Sequence, residues 1–182
     1  MAKRKVSKRR DARKRVRKAT SEPAIARQRT RAFWPYGLAI FALLLAADQY
    51  AKRLVLDLLP QGGSLAVADW LRFTYVQNTG TLWGSLRGAN WAFILLSAIA
   101  FAFLLRYHDR FTTLVEKVAL WMLVAGLWGN LIDRVTLGFV IDFIDLGWWP
   151  VFNIADACIV AGVALFLLET VRLERVRKTS VR

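Results

Sequence analysis

The chain has 182 residues, of which 56% are hydrophobic and eight are tryptophan, and this is too apolar for an ordinary soluble domain. The composition therefore favours a membrane protein. The single cysteine, Cys158, excludes an internal disulfide and a thiolate metal cluster. The single histidine, His108, lies in a short charged stretch, whereas a zinc site usually needs three or four protein ligands. We predict neither a metal nor another cofactor.

Most of the formal net charge of +14 is found near the N-terminus, where residues 1–31 hold fourteen Lys and Arg but two acidic residues. Such a segment has too few apolar side chains to fold, so we expect a disordered tail at 1–32. It lacks the short apolar core and cleavage site of a removable signal peptide. We expect it to lie near anionic lipid head groups, and we expect no specific nucleic-acid partner because no aromatic residues interleave the basic run.

Four apolar segments follow, each to be compared with the roughly 20 residues that a helix needs to cross a bilayer. They extend from Phe33 to about Leu59, from Ala89 to Leu105, from about Phe111 to Val135 and from Trp148 to Leu168. Basic residues are concentrated on one side of this arrangement, which places both termini in the cytoplasm. We therefore predict an all-α polytopic membrane protein with four transmembrane helices at 33–172 and a second basic tail at 173–182.

The outward loop between spans one and two, residues 60–88, is long and has a strand-like pattern. Residues 71–76 alternate between two faces and mix β-branched with aromatic side chains, and a turn signal follows at Asn78 and Gly80. We expect a small antiparallel sheet in this loop, lying on the membrane.

Ionisable side chains within membrane spans cost roughly 2.5 to 3.5 kcal/mol each on insertion scales, so each requires a partner or a function. In the predicted topology these residues collect at the outer ends of spans one, three and four, and three asparagines belong to the same layer. The set is Asp48, Lys52, Asp133, Arg134, Asp142 and Asp156, with Asn78, Asn130 and Asn153. This is a polar site that faces the outer leaflet.

Spacing within this layer indicates structural pairs. Asp48 and Lys52 are four residues apart, as are Asn130 and Arg134, so each pair shares a helix face. We expect Asp48 to pair with Lys52, and Asp133 with Arg134, as buried acids and bases that neutralise each other.

Asp142 and Asp156 differ, because neither has a Lys or Arg within one helical turn. Two neighbouring carboxyl groups do not both ionise cheaply, so such a pair shares a proton and provides one acid and one base near neutral pH. This is the arrangement of an aspartic protease. Residue types alone also allow a proton-coupled transporter or channel, in which buried acids relay protons.

Five ordered motifs resemble a known family. They are "DQYAK" at 48–52, "NTG" at 78–80, "GNLIDR" at 129–134, "VIDF" at 140–143 and "FNIAD" at 152–156. Together they closely resemble lipoprotein signal peptidase, the type II signal peptidase of bacterial inner membranes, over about Leu38 to Phe166. The resemblance implies an aspartic endopeptidase that cleaves a prolipoprotein on the amino side of its diacylglyceryl-modified cysteine, and therefore lipid-modified prolipoproteins and membrane lipids as partners.

The resemblance also implies residue roles. Asp142 and Asp156 match the catalytic aspartates of the family. Other matched positions would orient this pair, contact substrate or support the outer face of the site: Asn130, Asp133, Arg134, Asn153, Asn78, Gly80, Asp48 and Lys52.

A relative that binds signal helices without cleaving them is a further alternative to the protease.

Three features depart from the family pattern, and one is "NTGTLW" at 78–83, where a small residue followed by an aromatic residue is usual. "AGLWGN" has Leu127 and Trp128 where small residues are usual, and we expect the bulk of Trp128 to narrow the substrate groove. The basic segment before Phe33 is longer than is typical of the family, and the resemblance implies nothing about it.

Overall fold

The structure is a computed structural model that describes residues 35–80 and 90–180. The first helix, α1, covers residues 35–58. The other elements are β1 (Ser64–Ala68), β2 (Leu71–Asn78), α2 (Asn90–Tyr107), a 3₁₀ turn (His108–Arg110), α3 (Leu114–Thr136), β3 (Val140–Asp145) and α4 (Ile154–Ser180). The prediction for the basic tail at 1–32 and the end of the outward loop at 81–89 lie outside the described residues.

Both ends of α3 follow from local sequence signals. Thr113 caps the N-terminus by accepting the backbone N–H of Glu116, and the Glu116 carboxylate accepts the backbone N–H of Thr113 in return, which forms a capping box. After the helix, Gly138 has φ +84°, a left-handed conformation that glycine adopts without a steric penalty.

Two helices, α3 and α4, are long and apolar enough to cross a membrane. The apolar part of α2, Trp91–Tyr107, is shorter. Large apolar side chains on these helices are exposed, among them Leu96 and Phe103 of α2 and Leu168 of α4. Exposed apolar surface of this extent is typical of contact with lipid. The helices and the small sheet confirm a mostly helical fold class. The four-span topology stays a prediction.

The sheet is larger than predicted. The hairpin of β1 and β2 lies in the expected loop, but β2 also pairs in antiparallel fashion with β3, which comes from between α3 and α4. Alternation along β3 buries Ile141 and Phe143 against Tyr75 and Val55 in a small apolar core. The sequence predicts a sheet in the 60–88 loop alone, because "VIDF" is too short for the two-residue period of a strand to be recognised beside long apolar runs.

Close packing of α3 on α4 brings the start of α4 next to the end of α3. A Cβ added at Gly126 would collide with the backbone carbonyl of Ala155, so glycine permits this approach. Trp128 points elsewhere: its indole packs edge-on against Phe101 of α2, with ring centroids 5.5 Å apart. Trp128 packs against a buried apolar cluster and is not among the residues that line the cavity described below, so its expected effect on the substrate groove stays a prediction.

Candidate active site

Asp142 and Asp156 border the same cavity, which has a volume of about 710 Å³. β3 supplies Asp142 and the first turn of α4 supplies Asp156. Polar groups lie at one end of the cavity and apolar side chains form the rest of its wall. The lining residues are Asn78, Gly80, Phe93, Arg134, Asp142, Leu146, Trp148, Trp149, Val151, Phe152, Asp156, Ala157, Ile159, Val160 and Ala161.

Both oxygens of the Asp142 carboxyl group accept hydrogen bonds from side-chain amides. Asn153 Nδ2 donates to Oδ1 at 2.7 Å, and Asn78 Nδ2 donates to Oδ2 at 2.9 Å. The backbone N–H of Gly80 donates to Asn78 Oδ1 at 3.0 Å, in an Asx turn that directs the amide nitrogen of Asn78 to Asp142. Gly80 therefore belongs to the site through its backbone.

Asp156 is held by a different set of donors. Asn130 Nδ2 donates to Asp156 Oδ1 at 2.7 Å, and the backbone N–H of Asn153 lies 3.4 Å from Oδ2. Asn153 also caps α4, since its Oδ1 accepts the backbone N–H of Asp156 at 2.8 Å. One fully buried asparagine thus contacts both aspartates.

The environment of Asp142 favours its protonated form. Burial, followed by the negative charge of Asp156, raises the pKa of Asp142 to about 7, against the opposing effects of the Asn78 and Asn153 hydrogen bonds and of the Lys52 charge. Asp142 lies on β3, outside the spanning helices. Near neutral pH this carboxyl group is therefore able both to give and to take a proton, as acid–base chemistry at this pH requires.

Behind the aspartates lies a buried ionic cluster. Lys52 Nζ is 2.8 Å from Asp48 Oδ2 and 2.8 Å from Asp133 Oδ2, and each of the three side chains is at most 3% exposed. The predicted pair of Asp48 and Lys52 is confirmed. Asp133, whose predicted partner is Arg134, pairs with Lys52. It also accepts the backbone N–H of Ile141 at 3.2 Å, which connects α3 to β3.

Arg134 lies beside the cavity rather than in this cluster. Its guanidinium group is 5.0 Å from the ring centroid of Phe93 on α2, and its Nη1 lies 3.4 Å from the backbone carbonyl oxygen of Asn130. A cation over an aromatic face is held there by the ring quadrupole. Among residues 35–80 and 90–180, the cavity wall therefore includes one charged group besides the two aspartates.

Sequence reasoning missed two parts of the site. Gln49 Nε2 is within 3.3 Å of oxygen atoms of Asp48, Gly129 and Asp133, so it links α1 to α3. The apolar wall was also missed, although Trp148 and Trp149 precede the "FNIAD" motif by a few residues and are exposed in the fold. Adjacent tryptophans at a span end were a usable signal for it.

Comparisons with known proteins identify the family of the chain. A family model described as signal peptidase (SPase) II matches residues 40–172. The lipoprotein signal peptidase of Syntrophomonas wolfei is 41% identical over 130 residues, which cover 70% of this chain and 87% of that protein. The lipoprotein signal peptidase of Halothermothrix orenii is 35% identical over 140 residues, which cover 75% and 96%.

Solved structures show the same likeness. A bacterial membrane enzyme determined by the in meso method at 2.3 Å resolution superposes with a TM-score of 0.73 at 31% identity, over 77% of this chain and 90% of that one. A second, at 1.9 Å resolution, gives a TM-score of 0.71 at 32% identity, over 76% and 94%. The chain belongs to the signal peptidase II family and is an aspartic-type signal peptidase.

Proposed function

We propose that this enzyme removes the signal peptide from diacylglyceryl-modified prolipoproteins, with Asp142 and Asp156 as its catalytic pair. The observation that carries the proposal is that two carboxyl groups from different elements border one cavity, each oriented by asparagine amides. The names of the relatives support the lipoprotein substrate.

The pair activates water in the manner of an aspartic protease. One carboxylate takes a proton from water as the water oxygen attacks the scissile carbonyl carbon. The other carboxyl group, still protonated, gives its proton to the carbonyl oxygen, which produces a tetrahedral diol. As the C–N bond breaks, the pair gives a proton to the leaving nitrogen and takes one from a hydroxyl group of the diol, which becomes the carboxyl group of the product, so the original protonation state returns.

The cavity supports binding of an apolar substrate next to this chemistry. Its wall along α4 is formed by Ile159, Val160 and Ala161, and Trp148 and Trp149 border it before the helix. A signal helix and acyl chains bury apolar surface against such a wall, at about 25 cal/mol per Å². Arg134, Asn130 and Asn153 then orient the pair and the peptide at the polar end.

The proposed location is the bacterial inner membrane, with both termini in the cytoplasm and the cavity toward the outer face. A diacylglyceryl-modified cysteine keeps its acyl chains in the bilayer and presents its scissile bond at the interface. The catalytic acids must therefore lie at the depth of the membrane interface to reach the scissile bond.

A gel-shift assay in detergent tests the proposal. Purified enzyme is incubated with a lipid-modified prolipoprotein and, separately, with the unmodified form. We expect cleavage of the lipid-modified substrate alone, no effect of a chelator, and a loss of about 10³-fold or more in kcat for Asp142→Asn and for Asp156→Asn.

The matched control is Asp145→Asn, on the same strand as Asp142. Asp145 accepts from Arg72 at 3.1 Å and from Thr74 at 3.0 Å, on the sheet rather than at the cavity. We expect near-normal cleavage from this variant. Near-normal cleavage by folded Asp142→Asn or Asp156→Asn would contradict the assignment of the pair.

A further inference from the structure

We propose that Lys52 is a positioning residue for the reaction, because it holds the Asn130 amide in the orientation that presents an N–H to Asp156. The inference rests on the proposed function, in which Asp156 is one of the two reacting acids. Lys52 is not among the residues that line the cavity, so it acts through Asn130 rather than on substrate.

The Lys52 ammonium group has a partner for each of its protons. Its Nζ lies 2.8 Å from Asp48 Oδ2, 2.8 Å from Asp133 Oδ2 and 3.1 Å from Asn130 Oδ1. An ammonium group has three N–H donors and no acceptor. Two carboxylates accept two of the protons, and the third proton is directed at a neutral amide that leads to the reacting pair.

This contact determines which way the Asn130 side chain faces. Since Nζ only donates, the amide oxygen must face Lys52, and the amide nitrogen on the opposite branch then faces Asp156 Oδ1 at 2.7 Å. Asn153 Nδ2 supports the same orientation by donating to Asn130 Oδ1 at 3.0 Å. The reverse orientation would set two donors against each other and turn the Asn130 oxygen toward the Asp156 carboxyl group.

The other two amides that contact the pair are oriented by backbone donors. Gly80 N–H fixes the oxygen of Asn78, and Asp156 N–H fixes the oxygen of Asn153. Asn130 is the member of this trio whose oxygen faces a buried cation. A substitution of Lys52 is therefore expected to act at Asp156 first.

Lys52 also contributes charge, which gives a readout that a purely structural role lacks. Within the described part of the chain, the charged groups around the pair are Asp48 and Lys52 from α1 and Asp133 and Arg134 from α3, besides Asp142 from β3 and Asp156 from α4 themselves. A nearby cation favours ionised carboxylates. Loss of Lys52 is therefore expected to move both limbs of the pH profile of kcat to higher pH.

Removing Lys52 alone would leave two buried carboxylates without their cation, and this destabilises folded proteins. The test therefore uses Lys52→Met combined with Asp133→Asn, which removes one positive and one negative charge and keeps the net charge of the cluster. We expect kcat to fall by about 100-fold relative to Asp133→Asn, with KM nearly unchanged, because the acid is misplaced while the cavity is intact.

A second variant isolates the hydrogen bond. Lys52→Gln, again combined with Asp133→Asn, has the same charge as the Met variant but keeps an N–H donor for Asn130. We expect it to recover about 10-fold in kcat over the Met variant, the scale of one hydrogen bond. Arg53→Met, an exposed cation on the same helix, is the matched control and should retain wild-type kcat and pH profile.

The results separate this inference from the proposed function. If the wild-type enzyme and Arg53→Met fail to cleave the lipid-modified substrate, the proposed function is wrong. If they cleave it, two results together overturn the inference. The Lys52→Met and Lys52→Gln variants, each combined with Asp133→Asn, would have the same kcat as each other, and both would have the pH profile of Asp133→Asn alone. Lys52 would then be only structural. Melting temperatures in detergent show that the compared proteins are folded.

Discussion

Asn153 and Asp142 are joined by a 2.7 Å hydrogen bond in which the amide is the donor, and the same amide is prevented from turning because its oxygen caps α4. The direction of this bond is thus set by the helix. Asn153→Asp keeps the capping oxygen but replaces the donor with an acceptor that carries charge. We expect kcat to fall by about 100-fold or more, the scale of one lost donor in an active site, while α4 still forms.

The pH profile checks the cause of that loss. A third carboxyl group beside Asp142 favours retention of protons by the pair, so the alkaline limb should move to higher pH. Asn153→Ser serves as the comparison, because it keeps a capping oxygen without adding charge. An unshifted alkaline limb in Asn153→Asp, together with normal kcat, would contradict this role.

Asp48 is expected to act mainly on stability. It is 1% exposed, its Oδ2 pairs with Lys52, and its Oδ1 accepts the backbone N–H of Ala155 at 2.8 Å, at the start of α4. Asp48→Asn keeps the pair of Lys52 with Asp133 but replaces one buried carboxylate beside Lys52 with an amide, and losing a hydrogen bond to a charged group costs about 1.5–3 kcal/mol. A lower melting temperature in detergent, with kcat of the folded fraction within about 10-fold of wild type, is the expected result.

Asp57→Asn is the control for this substitution, since Asp57 is an exposed acid on the same helix. It should leave the melting temperature unchanged. Lost activity in Asp48→Asn at an unchanged melting temperature would contradict the structural role.

The polar layer was predictable because charges are conspicuous in apolar segments. Asp48 and Lys52 were four residues apart on one helix, and the geometry of a helix made them partners. The pair of Asp133 with Lys52 joins α3 to α1, and no local spacing encodes a contact between helices. The spacing of Asp133 and Arg134 in sequence therefore gave no sign of the contact between Asp133 and Lys52.

The placement of Asp142 on a strand was harder to predict for the same reason. β3 is six residues long, and its pairing with β2 depends on residues more than sixty positions away. Short strands buried beside helices have little periodicity to read. The motif marked Asp142 as important, whereas its geometry depends on the fold of the whole domain.

Gly129 is predicted to be intolerant of a side chain. A Cβ at this position would lie 2.6 Å from Asp48 Oδ2 and 3.0 Å from the Ala155 side chain. Gly129→Ala therefore forces Asp48 away from Lys52 or separates α3 from α4, and overpacking of this kind costs about 1–3 kcal/mol. We expect a lower melting temperature than for Val135→Ala, an exposed position on the same helix; equal values would contradict the close approach.

The raised pKa of Asp142 predicts a stability that depends on pH. Burial and the charge of Asp156 raise this pKa to about 7, whereas an unfolded aspartate titrates near about 3.9. The folded state therefore binds the proton more tightly, so the free energy of unfolding falls as pH rises from about 4 to about 7, and the loss persists at higher pH. Asp142→Asn lacks this titration.

We therefore expect the melting temperature of Asp142→Asn, relative to wild type, to rise between about pH 5 and pH 8. Asp145→Asn is the control, because the pKa of Asp145 is shifted in the opposite direction. The Gly147 N–H, together with Thr74 and Arg72, lowers this pKa, so the contribution of Asp145 to stability is lost only on acidification. Its difference from wild type should be flat over the same range. A flat difference for Asp142→Asn as well would show that Asp142 ionises as readily in the folded protein as in the unfolded chain, and the shared proton of the pair would then have no basis.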